Sequence, residues 1–179
     1  LLLQSPSGLL SMAGGKWTSY RKMAEEAVDQ AIASYALKPA RACQTPTLRL
    51  VGAERFTEDN EAALMSRFGL AADVAHHLHH AFGDQADAVA ELARDDLGAR
   101  LHPDHPYIDA EVVYCTRVEF AEHASDVLTR RVPLVLLDRA AARIALPRVV
   151  ELMARELGWD AERCARENAS ALERLDGAI

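Results

Sequence analysis

The chain has 179 residues, with 20 Lys and Arg against 27 Asp and Glu, and a formal net charge of −7 at pH 7. This acidic balance excludes a dedicated nucleic-acid binder, because release of counter-ions from phosphates needs clustered Lys and Arg. Half of the residues are apolar and 26% are charged, too hydrophobic a composition for a disordered chain, and a chain of this length buries roughly 70% of its unfolded surface without a staple.

Leu1-Leu2-Leu3 lacks the basic flank and full apolar region of a signal peptide. The chain has no initiator Met and opens inside a strand-and-turn segment, so a piece of a longer protein is expected. Gly8-Leu9-Leu10-Ser11-Met12-Ala13 is a short apolar run bounded by glycines and predicts a buried strand. A lone strand cannot satisfy its backbone groups, so its partners are expected in absent sequence or in another chain. After Gly14-Gly15 a helical pattern runs from about Lys16 to Tyr35, with apolar stripes Met23, Ala27, Ala31 and Ala24, Val28, Ile32. Residues 39–56 read as a linker, with one short extended piece at Thr47 to Val51.

From Thr57 onward the pattern is helical, and Ala and Leu, about a third of all residues, favour that state. Thr57 is the expected cap of a first helix that ends at Phe68, with Gly69 after it. A second helix is expected at 71–81 and a third at 85–95, stopped by Gly83 and Gly98. His102-Pro103-Asp104-His105-Pro106 reads as a loop. Asp109 opens a further helical stretch, although Val112-Val113-Tyr114 would also suit a strand. Arg130-Arg131-Val132-Pro133 ends it, because the residue before proline avoids the helical region. Pro147 suits the first position of a helix at 148–157, Gly158 stops that helix, and Asp160 caps a last one at 161–175. The expected architecture is mainly α: a strand–Gly-Gly–helix unit at 1–38, a linker at 39–56 and an all-helical domain at 57–179.

Cys43, Cys115 and Cys164 are odd in number and lack C-x-x-C spacing, which argues against a disulfide framework or zinc ribbon and suits a reducing compartment. No apolar run approaches the ~18 residues of a transmembrane helix.

The strongest local signal is Ala13-Gly14-Gly15-Lys16-Trp17-Thr18-Ser19-Tyr20-Arg21. Two glycines at a strand-to-helix turn permit close approach of another group, and a helix N-terminus is a ready anion site. Lys16, Arg21 and Lys22 sit where the helix dipole disfavours cations, which points to something negative nearby; the plainer alternative is a tight turn with its cations in water. The G-x-x-x-x-G-K-[ST] pattern of a P-loop is absent.

This segment resembles the A-G-G-K-W-T-T-Y-R-x-M-A-E motif of the FAD-dependent, quinone-linked glycerol-3-phosphate dehydrogenase family. Further blocks follow in the family's order. Pro106 to Tyr114 resembles P-Y-I-x-A-E-V-x-Y, and Asp126 to Arg131 resembles D-x-L-x-R-R. Ala145 to Met153 and Glu156 to Asp160 resemble A-L-P-R-I-V-E-L-M and E-L-x-W-D. The resemblance implies the end of an FAD-binding α/β domain followed by the helical C-terminal domain of a flavoprotein. That protein would oxidise sn-glycerol 3-phosphate to dihydroxyacetone phosphate, with hydride to FAD and electrons to quinone. It implies that Gly14, Gly15, Lys16 and Thr18 face the flavin, and that Lys16 partners the substrate phosphate or the reduced flavin. The implied partners are the missing N-terminal FAD domain, glycerol 3-phosphate and quinone. The implied location is cytoplasmic, peripheral at the cytoplasmic membrane, or at the mitochondrial inner membrane. No complete catalytic set and no Rossmann G-x-G-x-x-G lie in this chain, so the chain alone is expected to hold no flavin and to be inactive. Two departures stand out: Arg130-Arg131-Val132-Pro133-Leu134 replaces R-R-T-R-L, losing one cation, and Ser19 replaces a threonine but keeps the hydroxyl. No EF-hand loop occurs, so calcium control is not expected.

A stand-alone helical interaction or regulatory module, and an oxidase branch using oxygen, are the alternatives. His76-His77-Leu78-His79-His80 places His76 and His80 on one helix face. No carboxylate accompanies them in sequence, so a solvated face is expected, with no metal and no zinc binding tighter than micromolar. Asp126, Arg130 and Glu119 read as intrahelical pairs or as a charged patch at a domain interface. Trp17 and Trp159 read as packing residues.

Overall fold

The computed structural model describes residues 1–177. The chain divides into two compact units, Leu1–Leu50 and a second beginning at Val51. The division falls inside the segment read as a linker.

In the first unit, β1 (Leu2–Gln4) pairs antiparallel with β2 (Leu10–Met12) in the register Leu2 to Met12, Leu3 to Ser11 and Gln4 to Leu10. The strand expected at 8–13 therefore finds its partner within this chain, not in absent sequence. The signal overlooked is Ser5-Pro6-Ser7-Gly8, a turn closed by the Gly8 N–H on the Ser5 carbonyl and the Ser5 N–H on the Leu9 carbonyl, each at 2.9 Å. The strand is not buried either, since Leu3 and Leu9 are exposed. A 3₁₀ turn (Trp17–Ser19) leads into α1 (Tyr20–Tyr35), so the helix starts four residues later than the pattern suggests. No residue of Leu1–Leu50 is buried. A two-stranded sheet with no covered face is at best marginal by itself.

The second unit is helical: α2 (Asn60–Phe68), α3 (Ala72–Phe82), α4 (Ala86–Leu92), α5 (Asp109–Val118), α6 (Ala124–Asp126), α7 (Leu134–Leu137), α8 (Arg139–Leu157) and α9 (Ala161–Gly177). The helix α5 is central. Its residues from Asp109 to Thr116 are all buried. Ala110 and Tyr114 join Leu64, Val74, Leu78 and Val89 of α2–α4 in one core cluster. Val112, Val113 and Cys115 join Leu128, Leu146, Leu152 and Met153 in the other. Burial on both sides overrides the β-propensity of Val112-Val113, and the stretch is helix, not strand.

Several boundaries differ from expectation for local reasons. Thr57 does not cap α2; the cap position is Asp59, without a side-chain bond. The third helix is shorter than expected, because a π-turn follows α4 at Ala93–Leu97, with Asp96 in a left-handed conformation. Pro147 lies inside α8, not at its start. The helix begins at Arg139 because Asp138 caps it and Ala140, Ala141 and Ala142 propagate it. Gly69 and Gly158 end α2 and α8 as expected, and Asp160 accepts the Arg163 N–H at 2.7 Å at the start of α9.

The Asp138 cap has a measurable pH signature. Its Oδ1 accepts the Ala141 N–H at 3.0 Å, and its Oδ2 lies 3.2 Å from His105 Nε2. The Ala141 bond first, and His105 second, hold the carboxyl below the ordinary 3.8. A depressed folded-state value means that the stabilisation is full above the unfolded value and is lost as pH falls through the folded one. The gap in melting temperature between the natural chain and Asp138→Ala is therefore expected to be constant from pH 7 to about pH 5 and to close as acid is added below 3.8. A gap that widens in acid would show the cap assignment to be wrong.

Candidate functional site

The Gly-Gly corner is built by backbone conformations that side chains resist. Gly14 has φ +84° and Gly15 φ +99°, the left-handed region that glycine alone adopts without strain. A Cβ on Gly15 would stand 2.3 Å from Met23 Sδ of α1, the end of a flexible side chain that can give way, so the positive φ is what demands glycine there. A Cβ on Gly14 would meet nothing within 4 Å. The turn thus closes against α1 on one side and leaves open backbone on the other.

Lys16 follows in an extended conformation (φ −84°, ψ 146°). Its carbonyl accepts both the Ser19 N–H at 3.0 Å and the Ser19 hydroxyl at 2.9 Å. Ser19 therefore performs the turn-closing role open to the threonine it replaces. Thr18 lies within the 3₁₀ turn and is exposed.

The three cations read as a signal for a negative group separate here. The Arg21 guanidinium donates to the Thr45 and Leu48 carbonyls at 2.9 and 3.4 Å. Lys22 pairs with Glu25 at 3.0 Å, and that carboxylate raises the ammonium above its ordinary value. Lys16 alone of the three has no side-chain partner among the described residues. The corner therefore offers open glycine backbone, first-turn N–H groups and one uncommitted ammonium, which suits an anionic or electron-rich ligand. Trp17, read as a packing residue, is 89% exposed beside this corner, its ring 6.1 Å from that of Tyr20. Trp159, by contrast, packs against the larger core, with Arg163 over its ring at 5.4 Å.

The downstream motif blocks meet as scaffold. Asp109, fully buried, accepts from Arg148 Nη2 at 2.7 Å and Nε at 3.0 Å. This joins Pro106–Tyr114 to Ala145–Met153, and Asp109 and then Glu151 hold the guanidinium above its ordinary value. Asp126 accepts the Glu122 and His123 N–H groups at 3.2 and 3.0 Å and pairs with Arg130 one helical turn on. Glu119 does not join that pair; it meets Arg131 at 3.3 Å. The cluster is thus a set of local bonds around the α5–α6 connection.

The histidine run is not a uniformly solvated face. His76 and His80 are exposed, but His79 is 1% exposed. His77 Nε2 lies 2.7 Å from Glu111 Oε2, a carboxylate with no exposure. The reason is packing on two sides: α3 is covered by α2 and α4.

The family model for the C-terminal domain of alpha-glycerophosphate oxidase matches residues 43–164. A mitochondrial glycerol-3-phosphate dehydrogenase of Arabidopsis thaliana is 39% identical over 98% of this chain and 30% of its own length. That of Mesocricetus auratus is 43% identical over 96% of this chain and 24% of its own length. Among solved structures, glycerol-3-phosphate dehydrogenase from Bacillus halodurans complexed with FAD superposes with a TM-score of 0.79 at 25% identity, covering 98% of this chain and 36% of that one. The chain thus spans roughly a quarter to a third of the proteins it matches.

Proposed function

The chain belongs to the glycerol-3-phosphate dehydrogenase family, matching its C-terminal region, and from that membership we propose that it works as the C-terminal part of a flavoprotein oxidising sn-glycerol 3-phosphate to dihydroxyacetone phosphate. The observation that carries this reading is the Gly14–Gly15 corner with its open backbone and the uncommitted Lys16. These residues fit a flavin edge: a Cβ at Gly14 would occupy otherwise open space, and nothing else in the unit claims the ammonium. When bound, FAD supplies the two-electron acceptor to which the hydrogen on carbon 2 of the substrate leaves as hydride.

The residues of this chain have narrower tasks. Gly14 and Gly15 let the ring approach the main chain. Lys16 supplies a fixed positive charge for the substrate phosphate or for the negative charge that builds up on reduction. Ser19 holds the Lys16 carbonyl, and so the corner, in place; Thr18, exposed in the first turn, would offer its hydroxyl to the ring. The helical unit contributes no complete catalytic set among the described residues.

Passage of electrons to quinone, and peripheral attachment at the cytoplasmic or mitochondrial inner membrane, belong to the same proposal. No helix among the described residues is long and apolar enough to cross a membrane.

The test is anaerobic addition of sn-glycerol 3-phosphate to the full-length flavoprotein. The oxidised-flavin absorption is expected to bleach and to return with a quinone analogue. Return with dioxygen and release of peroxide would assign the oxidase branch instead. No bleaching with flavin bound would overturn the proposal. The 179-residue chain alone is expected to carry no stoichiometric flavin.

A further inference from the structure

The histidine run on α3 gains something in the fold that its sequence spacing lacks. The preceding helix α2 brings Glu61 across it. Glu61 Oε1 lies 2.9 Å from His76 Nδ1 and 3.3 Å from His80 Nε2. Glu61, His79 and His80 each offer a ligand atom, and those atoms all lie within 4.8 Å of one another. The His79 ring is stacked on Phe56, with centroids 4.6 Å apart and planes at 11°. It is 1% exposed, and its Nδ1 is buried without a hydrogen-bond partner.

Polar contact with Glu61 accounts for the exposed rings of His76 and His80 but not for His79. A buried ring nitrogen with no partner is uncommon and calls for an occupant. The same side chain lines a cavity of about 200 Å³ that Asp84 and Asp87 also line. There Asp87 Oδ1 is a second buried oxygen without a partner. Asp84 accepts the Arg55 N–H and Asp87 Oδ2 pairs with Arg67, which leaves His79 Nδ1 and Asp87 Oδ1 as the two buried atoms there without a partner.

We propose that Glu61, His79 and His80 form a site for a divalent transition metal of the zinc class, with water in the fourth position and His76 at the rim as a partner of the Glu61 carboxylate. One carboxylate and two imidazoles are a borderline donor set that suits zinc. Bond lengths of about 2.0–2.1 Å put tetrahedral ligand atoms about 3.4 Å apart. The ligand atoms, within 4.8 Å of one another, thus have to close by roughly an ångström to reach that spacing. The metal would staple α2 to α3, adding to the apolar contacts around Leu64 and Leu78 and the Glu61–His76 bond. This proposal replaces the expectation of no metal, which rested on a spacing without a nearby carboxylate. It does not depend on the redox reading.

The test is titration of the chelator-treated full-length protein with Zn²⁺ alone, followed by calorimetry. One equivalent per chain is expected with a sub-micromolar dissociation constant. Glu61→Gln and His80→Gln, at positions outside the fully buried core, are each expected to weaken binding at least about tenfold, whereas His102→Gln leaves it unchanged. Because Cys43 is exposed and could bind zinc by itself, Co²⁺ is substituted as well. Tetrahedral d–d bands without thiolate charge transfer are expected. Binding weaker than micromolar, binding that survives both substitutions, or a thiolate signature would each overturn the site.

Discussion

Replacement of Glu111 by alanine is expected to destabilise the helical unit by roughly 3 kcal/mol, from a lost helix cap, a lost buried hydrogen bond and a cavity. The side chain has no solvent exposure. Its Oε1 accepts the Ile108 N–H at 2.8 Å, capping the start of α5, and its Oε2 meets His77 Nε2 at 2.7 Å. Loss of the cap costs ~1 kcal/mol. An imidazole left mostly buried without its partner adds about 1–3 kcal/mol, and the cavity left by the missing methylenes adds to both. The helix that suffers is the one both core clusters share, so the loss cannot be confined to a frayed end. At this size the change corresponds to a melting point lower by roughly 10 °C. Glu111→Gln keeps an acceptor for Ile108 and presents an amide to the ring, so it is expected to cost about 1 kcal/mol. Urea unfolding of the pair checks this. A loss under ~1 kcal/mol for the alanine variant would mean that water takes over both bonds, and the hub would be no hub.

The same residue shows what the sequence can and cannot express. The helices of the second unit were legible because their stops are local: Gly69 and Gly158 carry the signal within one or two residues. Legible for the same reason was the Gly14–Gly15 corner, whose positive φ values need glycine whatever lies around them. Partnerships across long separations left no such mark. Glu111 and His77 are 34 residues apart and Asp109 and Arg148 are 39 apart. Nothing local tells a carboxylate which of several cations it will meet. Glu61 and the α3 histidines follow the same rule, since a ligand donated by a neighbouring helix is invisible to spacing on one helix. The Pro147 error has a different origin. A proline is a good start signal only if nothing upstream has already begun the helix, and the Asp138 cap had. The β1–β2 pairing was not legible because the three residues Leu2–Gln4 are too short a run to mark themselves as the partner of Leu10–Met12.

Lys16→Ala in the full-length flavoprotein is expected to lower kcat/KM by about 100-fold, the order lost when a positioned group that stabilises developing negative charge is removed. The fold should be indifferent to the change. Lys16 is exposed, and the ion pairs around it are made by Lys22 and not by its own ammonium. The stability should therefore change by less than the ~0.5 kcal/mol typical of surface substitutions. The way the loss divides then identifies what the ammonium faces. A rise in KM with kcat unchanged places it on the substrate phosphate, which is bound equally before and during reaction. An equal fall in kcat and kcat/KM places it beside charge that appears only as the hydride leaves. Lys16→Arg keeps the charge but changes its shape and hydration, so it should recover part of a long-range charge effect and little of a close contact. Unchanged kcat/KM in the alanine variant would take Lys16 out of the site, and the open corner would then be a tight turn and nothing more.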